Sequence, residues 1–400
     1  MPAVEDQLRA ELTRVAETVQ PGQLRPLREP TRGPGGRRRL LPVVAAAAAT
    51  VVTIVAAVLA SAPSGQRGFA VPRPGPAAMP RYYVTVARTS AGLEAVVRDS
   101  AHGAVTGSVR LPGTFAAAGQ SVTATQDGRT FAVAANLIDA STLPGTVAML
   151  YFWLPVSADG HPGTPAELPV GTGNGEPLRG MALSPDGTML ALSLERFGLI
   201  TSTAPYGDVE VIDLATGKTR TWTGHSAPGY FPGAPIWGND GRTLTFTWWR
   251  VTSQTTGAAV ITGVRELDTA APGGNLLASR LTGFRTATED LQSAVITSGG
   301  RDIVASSCRG GDHGTAVAEV VELSAADGQL VRVLRTQTTR FPNATDEQNA
   351  LDESCAVLSA DASGQHVLVQ AFSFGRIDNG VFTALPGAPP SSVPFAAAAW

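Results

Sequence analysis

Three observations predict an all-β fold, a closed ring of six four-stranded sheets. First, a hairpin recurs five times in residues 81–400, with turns near Asp127, Asp186, Asp240, Gly300 and Asp361 at a period of roughly 54 to 61 residues. Second, an outer hairpin follows each one with no helix between. Four antiparallel strands per period is the pattern of propeller blades. Third, the chain ends on an apolar strand, Phe395–Trp400, that has no successor, while the three strands of 81–111 lack an inner partner. Pairing the last strand with the first three gives a sixth blade and leaves no break in the ring. Composition agrees: 43% hydrophobic and 16% charged residues allow a sizeable core, and 44 Gly with 29 Pro suit many turns and few helices.

The chain ahead of the ring divides into three parts. Residues 1–39 form a tail. Val4, Leu8, Leu12, Val15 and Val19 make one helical stripe, Glu5 and Arg9 support it, and Pro21-Gly22 ends it. A basic linker rich in Pro, Arg and Gly leads to Arg37-Arg38-Arg39. Residues 40–60 carry no charge and, as a helix, would span ~30 Å, a bilayer core. Six arginines of the linker precede this run and only Arg67 and Arg73 follow closely, so the N-terminus is expected in the cytoplasm and the bulk outside. Residues 61–80, rich in Pro, Gly and Ala, read as a stalk. Ala60-Ser61-Ala62 resembles a signal-peptidase site, so a chain secreted after cleavage near Ala62 is the alternative. The length of the run and of the tail before it favours an uncleaved, single-pass anchor.

In the ring the inner hairpins are expected at 121–135, 181–194, 236–248, 294–308 and 355–372. Asp-Gly and Thr-Gly pairs supply the positive-φ residues that tight turns require. Leu183-Ser184-Pro185-Asp186-Gly187-Thr188-Met189-Leu190-Ala191, followed by Val211-Ile212-Asp213-Leu214-Ala215-Thr216-Gly217-Lys218, resembles the TolB-like and WD-type β-propeller repeat. The arrangement of tail, arginines, one anchor and propeller is similar to actinobacterial single-pass membrane proteins of unassigned function. The resemblance implies fold and placement and carries over no catalytic residue.

Chemistry is sparse in the sequence. Net charge is −3, so no nucleic-acid partner is expected. His102, His161, His225, His313 and His366 are scattered, and no metal-ligand or nucleophile motif is present. Asp346, Glu347, Asp352 and Glu353 lack calcium-loop spacing and read as a solvated acidic loop. No catalytic residue, metal or cofactor is therefore expected, and the chain reads as a non-enzyme. In a propeller, the loops joining the second and third strands and those joining blades share one face. Here these loops are the long ones, at 136–146, 195–208, 224–234, 249–258, 283–292 and 337–354, which suggests a binding surface. Tyr206, Tyr230, Phe231, Trp249, Arg309, His313 and Phe341 are its candidate residues, with Tyr230-Phe231 the expected exposed anchor. Cys308 and Cys355 fall at that face on neighbouring blades, so a disulfide closing a 48-residue loop is expected in an oxidising compartment.

Together these readings describe a membrane-anchored extracytoplasmic propeller that binds an unknown protein, glycan or cell-envelope ligand. One alternative is a transmembrane sensor whose helix in 1–39 holds a cytoplasmic regulator, as an anti-sigma-like protein would. A second is an extracytoplasmic hydrolase or lyase.

Overall fold

The computed structural model describes residues 79–89, 92–113, 121–125, 127–137, 148–170, 178–196, 206–252, 259–288, 291–297, 300–310, 314–343, 345–347, 351, 355–361, 365–386 and 398–400. The predicted tail, apolar run and nearly all of the stalk lie outside them. No helix among the described residues is long and apolar enough to cross a membrane.

Six sheets form a six-bladed β-propeller. The first blade holds Tyr82–Thr89, Gly92–Asp99 and Val105–Arg110, with Ala398–Ala399 as its innermost strand. The second runs from inner strand Ser121–Ala124 through Thr130–Leu137 and Ala148–Pro155 to Ala166–Glu167. The third comprises Leu178–Leu183, Met189–Arg196, Tyr206–Asp213 and Thr219–Thr223; the fourth, Tyr230–Trp237, Thr243–Val251, Ala259–Asp268 and Arg280–Thr288. Ser293–Ile296, Asp302–Gly310, Thr315–Ser324 and Leu330–Arg340 build the fifth, and Cys355–Ala360, His366–Ala371, Phe374–Asp378 and Val381–Ala384 the sixth.

The tight turns follow from their side chains. In the third blade the Ser184 hydroxyl donates to Asp186 Oδ1 at 2.6 Å, and the same oxygen accepts the Thr188 amide at 3.1 Å. Gly187 takes φ +71°, and its amide closes the turn on the Ser184 carbonyl. These bonds to the ionised carboxylate, led by that from Ser184, hold Asp186 below the ordinary carboxylate range. Asp127 repeats the arrangement with the Thr125 hydroxyl and the Arg129 amide, and Asp240 accepts the Arg242 and Thr243 amides, each beside a positive-φ glycine. Side-chain chemistry therefore sets the strand register locally, before any blade meets its neighbour.

The second strands are buried on both faces, so Phe131, Val133 and Ala135 meet one neighbouring blade while Ala132 and Ala134 meet the other. Six hydrophobic clusters result, one per seam. The last of them, Tyr83, Leu368, Phe374, Leu385, Ala398 and Trp400, joins the sixth blade to the first. Trp400 is 5% exposed and meets the Tyr83 ring edge-on at 6.0 Å. Burial pushes the Tyr83 phenol up to about 12, so it stays neutral. Polar ties reinforce this seam. His366 Nδ1 and Asp378 Oδ1 lie 2.8 Å apart, Arg376 Nε donates to Asp378 at 2.5 Å, and Arg376 Nη1 donates to the Ser100 and Ala101 carbonyls of the first blade. Elsewhere Trp237 Nε1 donates to the Ala182 carbonyl at 3.0 Å, and the Ser293 hydroxyl to the Val357 carbonyl at 3.0 Å, both between neighbouring inner strands.

Some element boundaries differ from the sequence expectation. Residues 224–234 and 249–258 were expected as loops, yet Tyr230–Trp237 and Thr243–Val251 are continuous strands. A register shift between Pro232 and Pro235 accommodates two prolines, which a regular strand disfavours. The expected loop over 283–292 is strand to Thr288, and 337–354 is strand to Arg340 with helical residues at 345–347 and 351. A fifth, parallel strand was also not foreseen: Gly274–Asn275 of the fourth blade pairs with Trp222–Thr223 at the rim of the third. It needs Gly273, where φ is +104° and a Cβ would lie 2.6 Å from the Thr221 carbonyl oxygen.

The Cys308–Cys355 disulfide is formed, with Cα atoms 5.9 Å apart and a sequence separation of 47. It joins the second strand of the fifth blade to the inner strand of the sixth. By loop entropy it contributes up to about 4 kcal/mol. Replacing both cysteines by Ser should lower stability by up to that amount, measured by denaturant unfolding; an unchanged midpoint would contradict the cross-link. Trp400→Ala should cost about 3–5 kcal/mol as a buried aromatic truncation, and a loss under about 0.5 kcal/mol would show that the C-terminal strand does not hold the ring.

Candidate functional site

The six inner strands converge on an open cavity of about 210 Å³ at the centre of the ring, and every blade contributes a wall residue. Most of the wall is small or apolar: Val122, Gly180, Met181, Ala234, Ala294, Val357 and Ala398. Ser121, Gln292 and Ser293 add hydrogen-bonding groups, and Arg179 is the one charged side chain among the lining residues. Small residues are required here because inner strands approach closely. At Gly180 a Cβ would stand 2.6 Å from the Ala234 Cα of the next blade.

Arg179 lies in a register shift between Leu178 and Gly180. Its Nε donates to Glu195 Oε2 at 2.6 Å, and its Nη2 donates to the same oxygen. Glu195 is 4% exposed and sits behind the wall, whereas the Arg179 side chain is 32% exposed. The guanidinium carbon lies 4.8 Å from the Phe231 ring centroid. Phe231 in turn stacks on Trp249 with centroids 6.2 Å apart and planes 2° from parallel. Trp249 Nε1 is satisfied by the Thr247 hydroxyl at 2.8 Å. Ion pair and aromatic stack together fix the cation at the cavity wall.

A second charged group lies beside the first on the same blade. Arg196 Nε donates to Asp208 Oδ2 at 2.6 Å and its Nη2 to Glu210 Oε1 at 3.0 Å. Burial pushes the Glu210 carboxyl above its ordinary range, against the pull of Arg196. Asp208 also accepts the Gly224 amide at 3.1 Å, which ties the connection to the fourth blade. Asp208 and Arg196 therefore shape the rim, and none of these residues lines the cavity.

The residues singled out in the sequence separate in space. Phe231 and Trp249 reach the cavity but are 6% exposed each, so Phe231 is a buried wall side chain and not an exposed anchor. Their strand pairing, Phe231 opposite Trp249, is the reason. Tyr230, on the opposite face of that strand, stacks on Trp248 at 5.9 Å, and Arg265 covers the other ring at 4.6 Å. Tyr206 meets the His225 ring edge-on at 4.9 Å. Arg309 pairs with Glu319 at 3.3 Å on the surface, and Phe341 packs on Phe372 at 5.8 Å, both away from the cavity lining. His313 lies outside the described residues. Asp346 of the acidic loop is engaged by Asn343 at 2.9 Å; Asp352 and Glu353 lie outside the described residues. Sequence reasoning missed Arg179 and Glu195. The available signal was a pair of opposite charges at the mouth-side ends of two strands expected to pair.

No family model matches this chain, and no curated protein does. Its fold is similar to the tricorn protease (TM-score 0.43, 10% identity, 76% of this chain and 29% of that one). It is also similar to a prolyl endopeptidase structure (TM-score 0.39, 14% identity, 77% and 41%) and to the acylaminoacyl peptidase of Pyrococcus horikoshii (TM-score 0.35, 12% identity, 66% and 39%). The chain thus spans between 29% and 41% of the length of these structures. The likeness is one of fold. These three structures are peptidases, which goes against the expectation of a non-enzyme, and that expectation is withdrawn; the likeness gives this chain no activity. Motif searches fail in a propeller because loops far apart in sequence meet at one face.

The ion pair yields a test. Removing Arg179 strands a buried carboxylate, whereas removing Glu195 leaves a cation that reaches water. Arg179→Ala should therefore cost about 3–5 kcal/mol and Glu195→Ala distinctly less. Chemical denaturation of both variants checks the order, and the reverse order would mean that Glu195 has another compensating partner.

Proposed function

We propose that this chain is a single-pass, membrane-anchored propeller displayed outside the cytoplasm, and that it binds a protein, glycan or cell-envelope ligand at the mouth of its central cavity. The observation that carries the reading is the cavity itself: all six blades build it, and one fixed cation stands in a mostly small or apolar wall. Concave, mostly apolar sites with few polar groups are where ligands bind. The strand ends that flank the long connections between second and third strands, and between blades, lie on the same side of the ring as the Arg179 end of the inner strands. The anchor rests on the uncharged run 40–60 behind Arg37, Arg38 and Arg39. The same orientation leaves the Val4–Val19 stripe in the cytoplasm, available to a cytoplasmic protein. A sensor that couples the two sides is the second reading.

Two measurements test the proposal. Protease added to intact cells should digest residues 81–400 and spare the tail; a wholly protected chain would remove the extracytoplasmic placement. A photo-crosslinking residue at Ser121, at the cavity, should capture a specific partner, whereas one at Val381, 67% exposed on the outer rim, should not. Capture from Val381 alone would move the binding surface to the circumference.

A further inference from the structure

Resting on the cavity mouth as the binding site, we infer that the ligand carries a carboxylate and that Arg179 receives it. A guanidinium is flat and holds five N–H donors in fixed directions. Glu195 Oε2 occupies the Nε edge, taking bonds from Nε and Nη2. The Phe231 ring lies against the group, with its centroid 4.8 Å from Cζ. The Nη1–Nη2 edge remains: Nη1 makes no hydrogen bond among the described residues, and Nη2 keeps a second hydrogen. Two parallel N–H groups on one guanidinium edge match the two oxygens of a carboxylate.

The surroundings favour that ligand class. Among the described residues Arg179 is the one charged side chain lining the cavity, and Leu178, Met181 and Phe231 beside it are apolar. An approaching carboxylate meets the cation at contact distance and Glu195 only behind it. Low polarity around the pair strengthens the nearer attraction. Rigidity adds to this: Phe231 is itself held by Trp249, so the donor edge is fixed before the ligand arrives. At about 210 Å³ the cavity admits one small acyl or amino-acid-sized group, with Ser121 and Gln292 available to its polar atoms. Glu195 has two opposed effects. It orients Arg179, and its charge weakens the attraction for a second anion.

The test uses the full chain in lipid nanodiscs, titrated with N-acetylalanine and with N-acetylalaninamide by calorimetry. The acid should bind about tenfold or more tightly than the amide. Glu195→Gln keeps an oxygen acceptor for Arg179 and removes the opposing charge, so it should raise acid affinity several-fold and leave the amide unmoved. The paired variant Arg179→Gln with Glu195→Gln retains a neutral hydrogen-bonded pair in the folded ring and should abolish the preference. Equal binding of acid and amide, sensitive to the cavity variants, would leave the cavity as the site and sink the carboxylate inference. Acid binding indifferent to the paired variant would place the carboxylate elsewhere and overturn the inference. Absence of binding by either probe at millimolar concentration would overturn both the inference and the cavity reading it rests on.

Discussion

Pairing of the last strand with the first is the constraint on which everything else rests. Val84 stands opposite Ala399 and Thr85 opposite Ala398, so the two ends of the described ring lie in one sheet. Each blade is a small sheet with two apolar faces, and neither face is buried until a neighbour covers it. Six blades in an open row would leave two such faces wet. Closure removes both, and the Tyr83–Phe374–Trp400 cluster fills the seam it creates. The polar bonds from Arg376 to Ser100 and Ala101 give that seam a direction as well as a volume.

Closure also makes the cavity. Inner strands from six blades can line one space only when the ring is complete, and their small residues follow from the narrowness of that space. Gly180 against Ala234 illustrates the limit. A charged side chain at such a place must be held, because desolvation there is expensive. Arg179 is held twice, by Glu195 behind it and by the Phe231–Trp249 stack beside it. The binding proposal and the carboxylate inference both follow from that restraint. A guanidinium with one edge committed to Glu195, an aromatic ring against it and its other edge unengaged among the described residues has a defined recognition geometry.

How much of this was legible in the sequence depended on how local the determining physics is. Turn chemistry acts over four or five residues, so Asp127, Asp186 and Asp240 marked their hairpins and the blade count followed from them. The terminal strand was legible because an apolar run without a partner and a blade without an inner strand complete each other. The disulfide was legible because both cysteines sit at strand ends on the same face of adjacent blades. Strands containing proline were not: Tyr230–Trp237 tolerates Pro232 and Pro235 through a register shift, which depends on the neighbouring strand. The site was least legible. Arg179 faces the cavity because a shift at Leu178–Gly180 turns it there, and Phe231 is buried because Trp249 stands opposite. Both are facts of pairing between strands, and single residue types do not report them. The expectation of no enzymatic activity failed for a related reason, since it reasoned from contiguous motifs on a fold that assembles its surfaces from distant loops.

Peptide-level hydrogen exchange of the intact protein tests the closure most directly. The account predicts that the peptide ending at Trp400 and the peptide covering Tyr82–Thr89 are protected together, to the level of central strands such as Met189–Arg196, and that they open in one cooperative step. Rapid exchange in the C-terminal peptide, with Met189–Arg196 still protected, would mean that the ring is not closed by its last strand.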